Sequence, residues 1–208
     1  MIALCVREFK SLFKSIRSIL IIILLFAVTL GTAKLLANFN SQFESVGLNN
    51  EYMVGLVSLL MIVGPLFVIS LSHDIINNET SSKTMRFLVT KISREKIVLG
   101  KFLGIIAFWF LCLLISTLLL IPFSKTFYFR EFIEMVIFLS YFSGLSIFLS
   151  TIINRPRLSM FIGLIVAIVL PIIGIWGLAS TDYTFLNVLN FMTPYYYLSK
   201  EEFIFPYF

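Results

Sequence analysis

Long apolar runs alternate with short polar joints along this chain, and the run lengths decide what kind of protein it is. The first run, Ser18–Ala37, carries twelve Leu, Ile, Val or Phe side chains. At 1.5 Å per residue, a helix of about 20 residues covers the roughly 30 Å hydrocarbon core of a bilayer. Four further runs of similar length lie at Met53–Ser72, Ile97–Ile121, Phe132–Ile153 and Leu158–Leu178. Twelve such side chains favour insertion by on the order of 4–7 kcal/mol, against about 3 kcal/mol for Lys34 at mid-bilayer. Lys34 lies near the end of its run, where its amine reaches the interface. The pattern predicts an all-α polytopic membrane helix bundle of five spans, forming one domain over residues 1–208. The first span is expected to be retained, because it is too long for a usual signal-peptide core and no small-residue cleavage site follows it.

The polar joints add a second pattern. In residues 1–17, Arg7, Lys10, Lys14 and Arg17 fall on one helical face, and Ile2, Cys5, Val6, Phe9, Leu12, Phe13 and Ile16 on the other. This predicts a basic amphipathic helix lying on the inner leaflet, an anchor that sets topology rather than a gate.

Composition agrees: with 59% hydrophobic and 13% charged residues, the chain has too little polar surface for a soluble globule. The charges are also unevenly placed. Lys and Arg cluster before span one, between spans two and three (Lys83, Arg86, Lys91, Arg94, Lys96 and Lys101) and between spans four and five (Arg155, Arg157). These twelve face four in the other connections: Lys34, Lys125, Arg130 and Lys200. By the positive-inside rule the N-terminus is cytoplasmic. Residues 179–208 then form an aromatic-rich external tail that lies flat, dips in as a re-entrant helix or makes half of a sixth span. Pro194 and the Lys200–Glu202 run argue against a complete one. Cys5 and Cys112 imply no disulfide or zinc framework.

The joint between spans two and three is longer than a connector needs, as the short Asn154–Arg157 joint shows. Within residues 75–93, Met85, Leu88, Val89 and Ile92 follow i, i+3, i+4, i+7, with Lys83, Arg86 and Thr90 pointing the other way. A short amphipathic helix is predicted, with Phe87 on its flank as an anchor for a partner's pocket. Catalysis has little support. His73 beside Asp74 is neither a metal shell nor a triad, and an interfacial or capping role is expected of it. No carboxylate lies mid-span to relay protons. The Leu99–Lys101 run is not a phosphate loop, because Glu95 stands where the first glycine belongs and Phe102 where Ser or Thr would hold magnesium.

The run ETSSKTMRFLVTKISREKIVLGKFLG, Glu79 to Gly104, resembles the cytoplasmic signature of type-two ABC transporter permeases: an acidic residue, a Gly-Thr-Leu-like helix, an Ile-Ser-Arg turn and a span opening with Gly-Lys. Thr84, Met85, Phe87, Leu88, Ser93, Arg94, Ile97, Leu99, Gly100 and Lys101 match it. Arg7–Leu20 resembles that family's amphipathic N-terminal helix, and Phe185–Leu198 its external element after span five. The resemblance implies a coupling helix that inserts into a separately encoded ATP-binding cassette subunit, where ATP and magnesium are bound and hydrolysed. This chain would then be a transport subunit binding no cofactor or metal itself, rather than an enzyme. Its partners would be that ATPase, a second permease copy (homo- or heterodimer) and the lipid bilayer, with no nucleic acid. Carried over by position, Thr84–Leu88 make the ATPase contact, with Glu79 ahead of it and Lys83 and Arg86 on the same element. Ser93 and Arg94 turn the chain, and Lys101 sits at the inner interface within reach of lipid phosphate. Two departures stand out. Lys83 replaces the family's glycine, and no sixth span is seen, whether missing, supplied by another chain or truly absent.

Within the membrane, Gly100 and Gly104 form a small-xxx-small pair expected to pack helices within one subunit. Pro65 and Pro171 are expected to bend spans two and five. Ser116, Thr117, Ser140, Ser143, Ser146, Ser150 and Thr151 either line a pathway or bond neighbouring carbonyls. So few charges suit a hydrophobic or amphipathic cargo, such as a peptide, a drug or a lipid-like molecule. The expectation is an ABC exporter permease of the cell membrane; the alternative is a non-transporting adaptor or immunity protein recruiting a partner through the same helix.

Overall fold

The computed structural model describes residues 2–43, 51–81, 93–153, 155–179 and 193–199. All regular structure among them is helical: α1 (Ile2–Lys14), α2 (Ile16–Phe43), α3 (Glu51–Ser72), α4 (Asn77–Ser81), α5 (Arg94–Ser124), α6 (Phe129–Ile152), α7 (Pro156–Ala179) and α8 (Pro194–Ser199). Five helices, α2, α3, α5, α6 and α7, are long and apolar enough to cross a membrane.

Local chemistry sets several boundaries. Ser15 separates α1 from α2, and its carbonyl accepts the first α2 bond from the Ile19 amide at 3.1 Å. Pro156 opens α7 and Pro194 opens α8, at the helical position where a missing N–H costs nothing. α5 ends where Lys125 enters the left-handed region (φ 57°, ψ 6°) and its amide returns to the Ile121 carbonyl, closing the helix as a C-cap does.

α5 is the central helix: half of its apolar window is buried, against 17% for α2 and 28% for α7. Phe108 of α5 and Phe138, Leu139 and Phe142 of α6 form the middle of the core with Leu56 and Leu60 of α3. α2 and α7 keep large apolar side chains exposed, among them Ile23, Leu24, Phe161, Ile168 and Trp176, as helices bordered by lipid or by another chain do.

α1 packs on α5 with Leu4, Glu8 and Leu12 buried, and Phe13 meets Phe108 edge-on at 4.9 Å. Ile2, Val6 and Ile16 remain exposed, so the apolar surface is split between protein and surroundings.

The described part of the tail dips into the bundle. Pro65 lies inside α3 and has no N–H to give the carbonyl one turn back, at Met61. The Tyr195 hydroxyl of α8 donates to that carbonyl at 2.6 Å, satisfying a backbone acceptor that lipid could not. Tyr195 is fully buried, edge-on to Phe138 at 5.3 Å. Its ring occupies the space a side chain at Gly174 would need, since a Cβ there would lie 2.5 Å from Tyr195 Cγ. α8 thus seats Tyr195 against α3, α6 and α7.

Candidate functional site

The most polar constellation in the described residues lies at the end of the bundle where α1, α4 and the first turns of α5 meet. The sequence builds it from spacing. Glu8 stands one turn from Leu4 and one from Leu12, on the stripe that α1 turns toward α5. On α5, Lys101 precedes Gly104 by three residues and shares its face. A Cβ at position 104 would come within 2.9 Å of the Cys5 carbonyl oxygen and of Glu8 Cβ. The glycine therefore lets α1 approach closely enough for Glu8 and Lys101 to meet.

Lys101 Nζ lies 3.0 Å from Glu8 Oε1, 3.0 Å from Glu79 Oε1 and 3.0 Å from the Ile75 carbonyl oxygen. Three acceptors match the three protons of an ammonium. The Lys101 side chain is 1% exposed, and those of Glu8 and Glu79 are 12% and 16% exposed. Arg7 completes the group through its Nη2, donating to Glu8 Oε1 at 3.1 Å and to Glu79 Oε1. Burial works against the Arg7 charge, but Glu8 and Glu79 outweigh it and hold the guanidinium pKa above its ordinary value. Two cations and two carboxylates make the quartet electroneutral, which is what burying charge requires.

The segment between α3 and α4 is fastened from the other side. Ser150 Oγ of α6 accepts from the Ile76 and Asn77 amides, both at 3.2 Å. Ser159 of α7 donates to the His73 carbonyl at 2.8 Å, and Asn77 Nδ2 donates to the Ile153 carbonyl at 3.3 Å. One turn deeper, the Ser72 hydroxyl, whose proton goes to the Val68 carbonyl, accepts from Ser146 at 2.9 Å. Of the two uses open to the span hydroxyls, Ser146 and Ser150 take backbone or hydroxyl partners on α3 and the turn beyond it. Ser116 and Thr117 donate to carbonyls one turn back in their own helix.

The other residues singled out from sequence fall as follows. Lys83, Thr84, Met85, Arg86, Phe87 and Leu88 lie outside the described residues. Glu79, grouped with them for the ATPase contact, turns a carboxylate oxygen inward to Arg7 and Lys101. Ser93 and Arg94 are exposed at the start of α5; Ser93 is extended (φ −61°, ψ 148°) and its side chain makes no cap bond. Lys10, Lys14 and Arg17 are exposed. Lys101 is a correction: its amine does not extend toward lipid phosphate, because two carboxylates and a carbonyl already surround it. Gly104 packs against α1 within this chain, and Gly100 is buried.

His73 is buried, with Nδ1 3.2 Å from the Ile69 carbonyl oxygen and 3.1 Å from that of Ser70, an arrangement that places a donor proton on Nδ1. No group of three or more potential metal ligands occurs among the described residues. Sequence reasoning missed Glu8. Its signal was an acid in register with Leu4 and Leu12 on an otherwise basic helix.

The quartet offers no nucleophile poised beside a base. It joins α1, the helix entering residues 82–92 and the helix leaving them, with about 3–5 kcal/mol at stake if one buried partner is removed. No curated protein matches the chain. A family model described as ABC-2 family transporter protein matches residues 2–203. With five apolar helices and a match over nearly its whole length, this chain belongs to the ABC-2 transporter family, membrane permease components of ABC transport.

Proposed function

We propose that the chain is the permease subunit of an ATP-driven exporter, and that residues 82–92 receive the motion of a separate ATP-binding cassette subunit. Within them, Thr84–Leu88 contact that partner, which binds ATP and magnesium and carries out hydrolysis. The N-terminus lies in the cytoplasm, consistent with the excess of Lys and Arg in the connections at the α1 end. A second permease copy completes the pathway along the exposed apolar sides of α2 and α7. The cargo is hydrophobic or amphipathic, in keeping with the scarcity of charge in the spans.

One observation carries the reading: Lys101 binds Glu79 and Glu8 at once. α4 and α5 flank residues 82–92, so a push on that segment reaches both helices and, through Glu8, α1. A buried linkage transmits displacement, because packed elements shift as units rather than deform continuously.

The test is co-purification and ATPase turnover of the complex with Lys83→Glu, Arg86→Glu and Phe87→Ala. Each is expected to release the ATPase or uncouple its turnover while the spans stay inserted. Unchanged coupling in all three refutes the assignment.

A further inference from the structure

Beside the quartet a cleft of about 680 Å³ opens between α1, the α1–α2 junction and the end of α3. Arg7, Ser11, Ser15 and Arg17 line one wall, and Ser70 and Asp74 the other. We propose that this cleft binds the headgroup of a phospholipid carrying a primary amine, a phosphoethanolamine group, from the leaflet on the α1 side.

Charge accounting leads there. Arg7, Lys101, Glu8 and Glu79 neutralise one another. Among the described residues, that leaves Arg17 and Asp74 as the remaining charges on the cleft walls, one of each sign. They share a cavity yet form no ion pair, so they stand more than 4 Å apart. An anionic ligand would satisfy Arg17 and leave Asp74 opposed by a like charge. A zwitterion that carries both a phosphate and a primary ammonium offers an opposite charge to each. The phosphate lies on the Arg17 side, with the Ser11 and Ser15 hydroxyls and the Arg7 nitrogens beyond Nη2, the atom that carries both Arg7 bonds. The ammonium donates to Asp74 and to the half-buried Ser70 hydroxyl. A quaternary ammonium has no proton to donate there.

Depth identifies the source as lipid. Arg17 is the second residue of the first span, which begins at Ile16, and Asp74 lies two residues beyond the end of α3 at Ser72, within an apolar stretch that continues to Thr80, so both stand toward the same end of the apolar helices. Directly beyond Arg17 on α2, Ile19, Leu20 and Ile23 are exposed, a surface along which acyl chains can run. The volume is within the range of small-molecule sites. The inference needs only that α1 lies at a membrane surface, and it stands apart from the assignment of residues 82–92.

The test is native mass spectrometry of the delipidated full-length chain offered an equimolar mixture of phosphatidylethanolamine, phosphatidylcholine and phosphatidylglycerol with identical acyl chains. Phosphatidylethanolamine is expected to be retained at least tenfold over either competitor. Asp74→Asn is expected to bring its advantage over phosphatidylcholine within twofold, Asp74→Glu to restore it, and Arg17→Gln to weaken retention of all three. Size-exclusion elution and helical circular dichroism confirm that each variant is folded. Equal retention of the three lipids, preference for phosphatidylglycerol, or an Asp74→Asn variant that keeps full preference overturns the proposal. So does displacement of bound lipid by micromolar O-phosphoethanolamine, which would make the ligand a soluble zwitterion. Loss of ATPase association in Arg17→Gln with lipid preference unchanged also overturns it, since the cleft would then be a protein contact.

Discussion

Replacing Lys101 with Met tests the quartet most directly, because Met keeps most of the side-chain volume and removes only the ammonium. In the wild-type chain that ammonium has three acceptors, each at 3.0 Å. In Lys101→Met the Ile75 carbonyl loses its side-chain donor, and Glu8 and Glu79 are left to share the single Arg7 guanidinium. Breaking a buried pair by removing one partner costs about 3–5 kcal/mol. The two carboxylate side chains are 12% and 16% exposed and recover part of that through water. The lower bound, about 3 kcal/mol, is therefore the expected loss, roughly a 150-fold change in the unfolding constant. Pairing the substitution with Glu8→Gln isolates the contact: the double variant should be less destabilised than the summed singles by about 1 kcal/mol or more. The assay is equilibrium unfolding in mixed micelles, in a Trp176→Phe background, followed by fluorescence of Trp109, which stands on α5 beside Phe108. A Lys101→Met variant within about 0.5 kcal/mol of wild type, with additive behaviour in the cycle, would refute the claim that the quartet holds α1 to the bundle.

Two further outcomes follow from the packing. Tyr195→Phe removes the donor to the Met61 carbonyl and should cost about 1–3 kcal/mol in the same unfolding assay. Where Pro65→Ala restores the backbone N–H, the same Tyr195→Phe change should cost much less, and equal costs in the two backgrounds would refute the pairing. Gly104→Val places methyl groups against the Cys5 carbonyl and Glu8; it should destabilise by about 1–3 kcal/mol and raise the labelling rate of Cys5 by a thiol reagent, whereas unchanged labelling would mean that α1 does not seat on Gly104.

The five apolar helices were legible because their signal is local: run length and hydropathy suffice to mark a span. The basic face of α1 was legible for the same reason, and Lys10 and Lys14 on it are exposed, as is Arg17 at the start of α2. What escaped were pairings across long sequence distances. Lys101 opens a span beside a polar joint, and charge counting reads any such residue as an interfacial cation. Its partners are 93 residues earlier, in Glu8, and at the far side of the joint, in Glu79. Glu8 was hidden by its surroundings, since one acid among four bases reads as part of the wet face. Tyr195 sits in an aromatic-rich tail that local composition assigns to the interface. Only the carbonyl that Pro65 frees, 134 residues away in the bonded pair, gives its hydroxyl a buried destination. The serines show the same limit: period and polarity mark Ser146 and Ser150 as small polar positions, but not that their partners lie on α3 and the turn after it.

The sequence separation between Glu8 and Lys101 also bears on how the protein is made. At a synthesis rate of about 5–20 residues per second, roughly 5–20 s pass between the making of Glu8 and of its partner 93 residues later. During that interval Glu8 has no partner on α5, and Arg7 beside it is the cation within reach. Docking of α1 through Glu8 and Lys101 can be completed only after α5 has been made, so the earliest helix of the chain is fastened only once the third long apolar helix exists.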